Sequence, residues 1–536
     1  MRCGLGFVAP RRGALLLLAA VAAACTHPDP VFEVVEIELP VRTLDVREDA
    51  GVVNVTVSLA SEPRHTVRAH YRALELEAQS GCQLPDFRVA SGFVQWEPGR
   101  REATIELWID NDELAETDER FVLLLERDEA ALGAKPVALV VRILDDDRTA
   151  LIEGGAHGLL PNSGASADGS LQAALDAAAA SGRGVVVLSP GDYELTSVQV
   201  PAGVTLSGRG GVRLLRPPMA PAETRSLRLE HAGADDSRAT LIEGLTIDGR
   251  RDEQGDFRGY EKEHAALIEA LGDAAGAGRL RAVVEDVALS SGTGDGIAFG
   301  VNVDATLCRV RGNDLWREVV GVRGGNTSLR VRELDASATA GTSGLWVIAE
   351  ATGHADSRRI DVEMEDVRLE TGDVEIDVAG GSSVVIRGLF MTEPPFRLVA
   401  SDSVVRISDS VLSVGIDGDI HDYWGPFADV QLSGTTLRIS ELDSQQRGLT
   451  VEPPEADRTL SIVAIRPQDA AATPAPGQLR FEHCRFELAS NVEALDSVFA
   501  VRNPDSTHAV VVRDSVLGPG LEAWFAPECA GCVVEP

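Results

Sequence analysis

Between residues 294 and 350 the chain carries side chains suited to polysaccharide chemistry. Gly294-Asp295-Gly296-Ile297 supplies one carboxyl, Asn313 to Glu318 adds Asp314, Trp316 and Arg317, and Gly344-Leu345-Trp346 is followed by Glu350. Two carboxyls act as acid and base on a glycosidic bond when about 5 Å apart (retaining) or roughly 6.5–9.5 Å apart (inverting). Asp295 and Glu350 are the candidate catalytic pair. Arg317 suits neutralisation of a sugar carboxylate or proton abstraction in an elimination, and Asp314, Trp316 and Trp346 suit the holding of sugar rings. Gly296, Gly321 and Gly344 lie 25 and 23 residues apart, a spacing that predicts equivalent corners of successive turns of a stack. A second cluster combines acids with His421, Tyr423 and Trp424 and is expected to add to substrate binding. The acid-rich segment 248–264 is long enough to fold over a groove.

A different chemistry is suggested by the acids of residues 37–148. Val53, Val55, Val57 and Leu59 alternate with polar residues, as do Ala103 to Ile109 and Val137 to Ile143. Period two means strands with one buried face, and short strands separated by Gly, Pro and Asp turns favour a β-sandwich. The acids stand at strand ends: Glu48 opens a strand, Asp86 lies between strands, Asp110 and Asp112 close one, and Asp145, Asp146 and Asp147 close the last. Carboxylates gathered in this way repel one another unless a cation neutralises them, and Ca2+ accepts six to eight oxygens in flexible geometry.

This segment resembles Calx-β domains through EDAG at Glu48–Gly51, Asp86-Phe87, IDNDELAETDERF at Ile109–Phe121 and the terminal DDD. The resemblance implies a calcium-binding sandwich in which Glu48, Asp86, Asp110, Glu116, Glu119, Asp145, Asp146 and Asp147 are metal ligands. Asn111 stands where the family often has a second Asp, which lowers the ligand charge.

From residue 160 onward the chain repeats itself. An apolar residue, two mostly polar ones, a small or apolar one, one variable residue and another apolar one recur, as in Ile242/Leu245/Ile247, Val284/Val287/Leu289, Met364/Val367/Leu369, Leu432/Thr435/Leu437 and Phe481/Cys484/Phe486. Steps cluster near 21–26 residues, with longer ones from 247 to 289 and from 437 to 486 where loops must bulge. Such self-similarity means one unit stacked on itself, and parallel coiling fits because the Asn-Gly signals of two-residue hairpins are missing. Cys308 and Cys484 fall in the core ladders and read as small hydrophobes. Asp168 to Gly182 predicts a capping helix with Asp168 or Ser170 as N-cap, Leu171, Ala174, Leu175 and Ala178 as its apolar stripe, and Gly182 as its stop. DGSLQAALDAAAASGRGVVVLSPGDYEL, VPAGVTLSGRG and LIEGLTIDG resemble the opening of right-handed parallel β-helix proteins of the pectate-lyase-like superfamily. That superfamily includes lyases, hydrolases, epimerases and noncatalytic adhesins, so the resemblance implies a fold rather than one reaction.

The N-terminus reads as an address. Arg2, Arg11 and Arg12 precede the apolar run Ala14–Ala24, which is too short to span a bilayer, and Ala22, Ala23 and Ala24 lead into Cys25 as in a bacterial lipobox. The expected organisation is an all-β chain: signal peptide 1–24, tether 25–36, Calx-β sandwich 37–148, linker 149–169 and right-handed parallel β-helix 170–536. Lipidation is expected at Cys25, making the protein an exported lipoprotein anchored to the cell envelope, with the outer membrane favoured. The net charge is −35 and lysine occurs only at Lys135 and Lys262, which argues against a nucleic-acid partner. The expected function is recognition of a polysaccharide, with lyase- or hydrolase-like cleavage as the finer expectation and Ca2+ as cofactor. The alternative is a noncatalytic surface adhesin or scaffold.

Overall fold

The computed structural model describes residues from 36 to 534, except chiefly 77–85, 128–135, 232–237, 256–264, 273–277, 349–358, 416–428, 441–460, 466–477, 489–496, 502–508 and 522–528, together with a few single positions and shorter stretches. Glu350, His421, Tyr423 and Trp424, the signal peptide and Cys25 lie outside the described residues, as does most of the 248–264 loop.

The alternating strands of the first module close into a sandwich. A sheet of Ile37–Glu38, Val52–Leu59, Glu102–Ile109 and Phe87–Arg88 faces one of Thr43–Arg47, Val137–Leu144, Glu119–Arg127, Val67–Glu75 and Gly92–Trp96. Trp96 fills the core and its indole N–H donates to the Val57 carbonyl at 3.2 Å, which satisfies the one polar atom this side chain brings inside. Phe87 stacks on Phe121 with centroids 3.9 Å apart, joining the two sheets.

Beyond residue 149 every strand pairing among the described residues is parallel. Two long sheets of 23 and 8 strands form, and the chain passes from one to the other as it winds. The first position of the repeat builds one continuous inward row, Ile242, Val284, Leu307, Val331, Met364, Ile386, Ile407, Leu432, Phe481 and Val512, each in register with the next and all buried. The second of the two polar residues explains the template. In ten coils it is left-handed, with positive φ at Gly244, Asp286, Arg309, Glu333, Asp366, Gly388, Asp409, Gly434, His483 and Asp514. That conformation turns the strand through a corner and suits Gly, then Asp or Asn. The coil around Leu307 does not stand out in the repeat because Gly312 replaces its last apolar residue. The Val319 methyls occupy the space a Cβ there would need.

The capping helix, Asp168–Ala180, buries Leu171, Ala174, Leu175 and Ala178, the expected stripe. Its N-cap is Ala167, with no side-chain cap; the Asp168 carboxylate instead accepts the Thr196 and Ser197 backbone N–H groups, at 2.8 and 3.2 Å, and so ties the helix to the coil. Residues 149–169, expected as a linker, already belong to the stack: Ala150–Glu153 pairs in parallel with Gly184–Val187 and forms the edge of the large sheet. Cys484 is a buried thiol, as expected, and burial pushes it up to about 11. Cys308 is different: it is disulfide-bonded, and the outward side of its strand rather than the core ladder explains why it is available for bonding. Among the described residues no helix is long and apolar enough to cross a membrane.

The corners make a sharp prediction. Glu333→Gly should leave stability unchanged or raise it by up to about 1 kcal/mol, whereas Gly434→Val should lower it by about 1–3 kcal/mol, because a β-branched residue resists positive φ. Chemical denaturation midpoints measure both, and a destabilising Glu333→Gly would show that the corner is held by its side chain.

Candidate functional site

The acids of the sandwich collect at one end in two groups. Glu48, Asp146 and Asp147 bring carboxylate oxygens within 4.8 Å of one another, and Asp86, Glu116 and Glu119 do the same. Asp145 lies between them and is held by backbone, accepting the Glu116 and Arg148 N–H groups at 3.2 and 3.0 Å. Asp110 takes no part in either group; it pairs with Arg88 at 2.8 Å on the surface. Asp112, not singled out as a ligand from sequence, is turned inward: its backbone N–H donates to Glu48 at 3.0 Å and its carboxylate accepts the Leu114 N–H at 2.6 Å.

Burial pushes Glu48 up to about 8, an effect increased by Asp112, Asp145 and Asp147. Burial likewise raises Asp112 to about 6, and lifts Asp145 and Asp147. Glu116 is raised well above the usual carboxylate range, first by burial and then by Glu119, Asp86, Glu243 and Asp112. Its side chain is more than nine-tenths buried, and among the described residues no hydrogen bond or ion pair reaches its carboxylate. A buried carboxylate facing other carboxylates fits a hard divalent cation, so these residues fit Ca2+.

On the coils, the expected glycine corners are not in phase. Ile297 pairs with Val320 and Val320 with Leu345, so Gly296 matches Val319 and Gly344 while Gly321 lies two residues further on, opposite Ala298 and Trp346. The same register stacks Asp295 directly on Glu318. Both are buried beneath Arg317 and Arg323. Arg323 Nη2 is 3.0 Å from Asp295 and 3.7 Å from Glu318, while Arg317 is 2.9 Å from Glu318 and 3.6 Å from Asp295. Burial pushes Asp295 well above the usual range and the Glu318 carboxyl adds to this. Burial also acts upward on Glu318, but the hydrogen bond from Asp295 and the two guanidiniums outweigh it and hold Glu318 below the usual range. The opposite directions favour Asp295 over Glu318 as the holder of a proton shared by the pair.

Arg317 is thus engaged by two carboxyls and remains a guanidinium, a geometry that suits charge neutralisation better than proton abstraction. Asp314 is taken by Arg251, and Trp316 is half-buried, its backbone N–H donating to Gly292 at 3.0 Å. Trp346 takes its register place beside Gly321. Sequence reasoning passed over Glu318 and Arg323 as site members, although Glu318 stands one coil step from Asp295. It also passed over Arg216, whose buried guanidinium donates to the Thr293 hydroxyl at 2.9 Å and to the Thr224 and Ala265 carbonyls at 3.0 and 3.4 Å. Burial lowers it to about 10.

The class these features define is a β-sandwich joined to a parallel β-helix, with clustered acids that could hold a metal ion on the first and an arginine-capped carboxyl pair on the second. Residues 33–147 match the Calx-beta domain. No curated protein matches the chain. Among solved structures the chain is similar to CBD12 from CALX1.2, at 25% identity over 22% of this chain and 47% of that one, with a TM-score of 0.20. It spans about half the length of that structure. It is also similar to the A-module of the mannuronan C-5 epimerase AlgE6 from Azotobacter vinelandii, at 13% identity over 72% of this chain and 99% of that one, with a TM-score of 0.35. A third is the catalytic domain of a GH87 alpha-1,3-glucanase in complex with tetrasaccharides, at 12% identity over 86% and 90%, with a TM-score of 0.39.

Stability without divalent cation should depend on pH in a set direction. The folded pKa values of Glu48, Asp112, Glu116, Asp145 and Asp147 are raised, so between about 4 and 8 the folded state binds more protons than the unfolded chain. As far as these groups decide it, stability is then greatest at about pH 4 and below, and falls as pH rises toward 8. Ca2+ at ten times its Kd should restore about 1.4 kcal/mol at pH 8 and much less at pH 5, because protons and cation compete. Thermal melts in chelator and in Ca2+ at both pH values test this; equal Ca2+ shifts at the two would contradict it.

Proposed function

We propose that this chain is an exported, envelope-anchored protein whose β-helix binds an anionic polysaccharide and whose sandwich binds Ca2+. One observation carries the glycan reading. Two guanidiniums, Arg317 and Arg323, gather over the buried Asp295 and Glu318 carboxyls in a chain whose net charge is −35. A pair of partly accessible guanidiniums is the kind of group that meets a sugar carboxylate or sulfate in planar, two-point fashion. The nearby half-buried Trp316 offers a ring for sugar stacking. Residues 170–536 are assigned to the glycan, residues 37–148 to the cation, and residues 1–24 to export with lipidation at Cys25; the three alanines before that cysteine support the anchor.

A second reading, cleavage, is favoured by the upward push on the Asp295 carboxyl, since a general acid needs a carboxyl that holds its proton above the usual carboxylate range. Against it stands the complete burial of Asp295 under the two arginines, which favours a binding surface.

A panel of polyuronates, a sulfated glycan and a neutral glucan separates these readings. Binding should be confined to the anionic polymers, weaken as salt rises, and drop about tenfold or more with Arg317→Ala or Arg323→Ala. Reducing ends or an unsaturated product, lost in Asp295→Asn, would establish cleavage. Equal binding of the neutral glucan, unaffected by either arginine substitution, would remove the charge-based account.

A further inference from the structure

Cys308 is buried from the side that a core residue does not face. Along Val303–Cys308 the inward positions are Val303, Ala305 and Leu307, so Asp304, Thr306 and Cys308 point away from the core of the coils. Yet Cys308 is only 1% exposed, and it does not belong to the core cluster that holds Leu307. Its strand lies beside the one that carries Val283: Val283 is in register with Thr306, and Glu285 with Cys308. That neighbouring outer face is where the sandwich rests. Leu114 packs with Leu241 and Val283, the Thr205 hydroxyl donates to the Ala115 carbonyl, and Arg183 of the coils pairs with Asp147. Cys308 thus lies one coil and two residues from a side chain that the sandwich covers.

Cys308 is disulfide-bonded, and the reach of the chain restricts its partner. A disulfide joins residues whose Cα atoms are no more than about 7 Å apart. The other cysteines stand at 3, 25, 82, 484, 529 and 532. Cys484 is a free thiol. Cys529 is in register with Val512, and the row from Leu307 reaches Val512 through Val331, Met364, Ile386, Ile407, Leu432 and Phe481. Eight such steps at about 4.8 Å put Cys529 about 38 Å from the coil of Cys308. Cys532 is three residues further along, a reach of about 10 Å, and stays out of range as well. Cys3 and Cys25 are assigned above to export and lipidation, and lipidation consumes the Cys25 thiol. Cys82 remains. It stands four residues before Asp86, a reach of at most about 14 Å, and the Asp86 carboxylate gathers with that of Glu116, two residues from Leu114.

We infer that Cys82 is the partner of Cys308, so that a disulfide staples the sandwich to the outer face of the β-helix beside the strip at Leu114. The exclusion of Cys25 rests on the anchor reading above; the other exclusions rest on distance and on the free thiol of Cys484. As the S–S bond forms, each thiol gives up one proton and one electron. A small disulfide such as oxidised glutathione takes up both protons and both electrons and leaves as two thiols, and an exported compartment supplies oxidants of this class. The bond closes a loop from 82 to 308 that contains the junction near residue 149, so it fastens the modules in addition to the noncovalent contacts of Leu114, Ala115 and Asp147.

The full chain, equilibrated in oxidised and reduced glutathione, alkylated in denaturant and digested with trypsin without reduction, tests this by mass spectrometry. Peptides 73–88 and 282–309, which carry Cys82 and Cys308, should appear as one cross-linked species and separate on reduction. In Cys82→Ser, Cys308 should become alkylated, and added reductant should lower the melting temperature of the wild-type chain by more than that of the variant. The peptide map is made on the wild-type chain and so decides the pairing even where the variant folds poorly. Alkylated Cys308 in the oxidised wild-type chain, or its linkage to Cys529 or Cys532, overturns the pairing and leaves the anchor reading intact. Linkage to Cys25 overturns both. Equal melting shifts in the two chains overturn the fastening role.

Discussion

Each turn of the β-helix buries its apolar row only if the next turn presents its own at the same height. This constraint of register governs the rest of the molecule. The row from Ile242 to Val512 satisfies it coil after coil, and a slip of one residue anywhere would turn the whole row outward. The left-handed corners serve the same end, since they let each strand bend around the core without losing phase with its neighbour. Stacking also decides what meets on the outside. Asp295 lies on Glu318, and Leu241 and Glu243 share a face because the strands beneath them are aligned.

Much of this was legible in the sequence because register and apolar spacing are the same information. The first position of the repeat named nearly every member of the buried row, and the helix stripe from Leu171 to Ala178 followed from its period. The coil at Leu307 was hidden because Gly312 is neither apolar nor large, and only the Val319 methyls that fill its place explain the exchange. The glycines at 296, 321 and 344 misled for a related reason: a glycine marks a tight place without saying which one, and Gly321 is an outward strand residue beside the Asp295 carboxyl rather than a corner.

The candidate site was legible only by residue type. Asp295 and Arg317 belong together, as expected, but their companions are Glu318 and Arg323. A carboxyl that neighbours an arginine in sequence looks like a local pair, and only the winding shows that it also lies against Asp295. In the sandwich, six of the acids singled out by the motif do gather in two clusters, Glu48 with Asp146 and Asp147, and Asp86 with Glu116 and Glu119. Asp110 was diverted by Arg88, a partner on the neighbouring strand, and Asp112 turned inward instead. The contact of Leu114 and Ala115 with the coils has no local signal at all, because it joins residues from separate modules.

Charge is handled in one manner throughout. A chain with many acids and few bases places guanidiniums over the buried Asp295 and Glu318, and where guanidiniums run short, at Glu48 and Glu116, the carboxyls are pushed upward. At Asp295 and Glu318 either carboxyl is able to carry the single negative charge opposite Arg317 and Arg323. A double-mutant cycle in the full chain, Asp295→Asn against Glu318→Gln, measures this most directly by chemical denaturation. Each single amide should cost little, because the remaining carboxyl takes over as counter-ion, and the double amide should exceed the sum of the singles by about 1–3 kcal/mol. Costs that add within about 0.5 kcal/mol would show that the two carboxyls do not share a proton, and that the coils do not stack them as described.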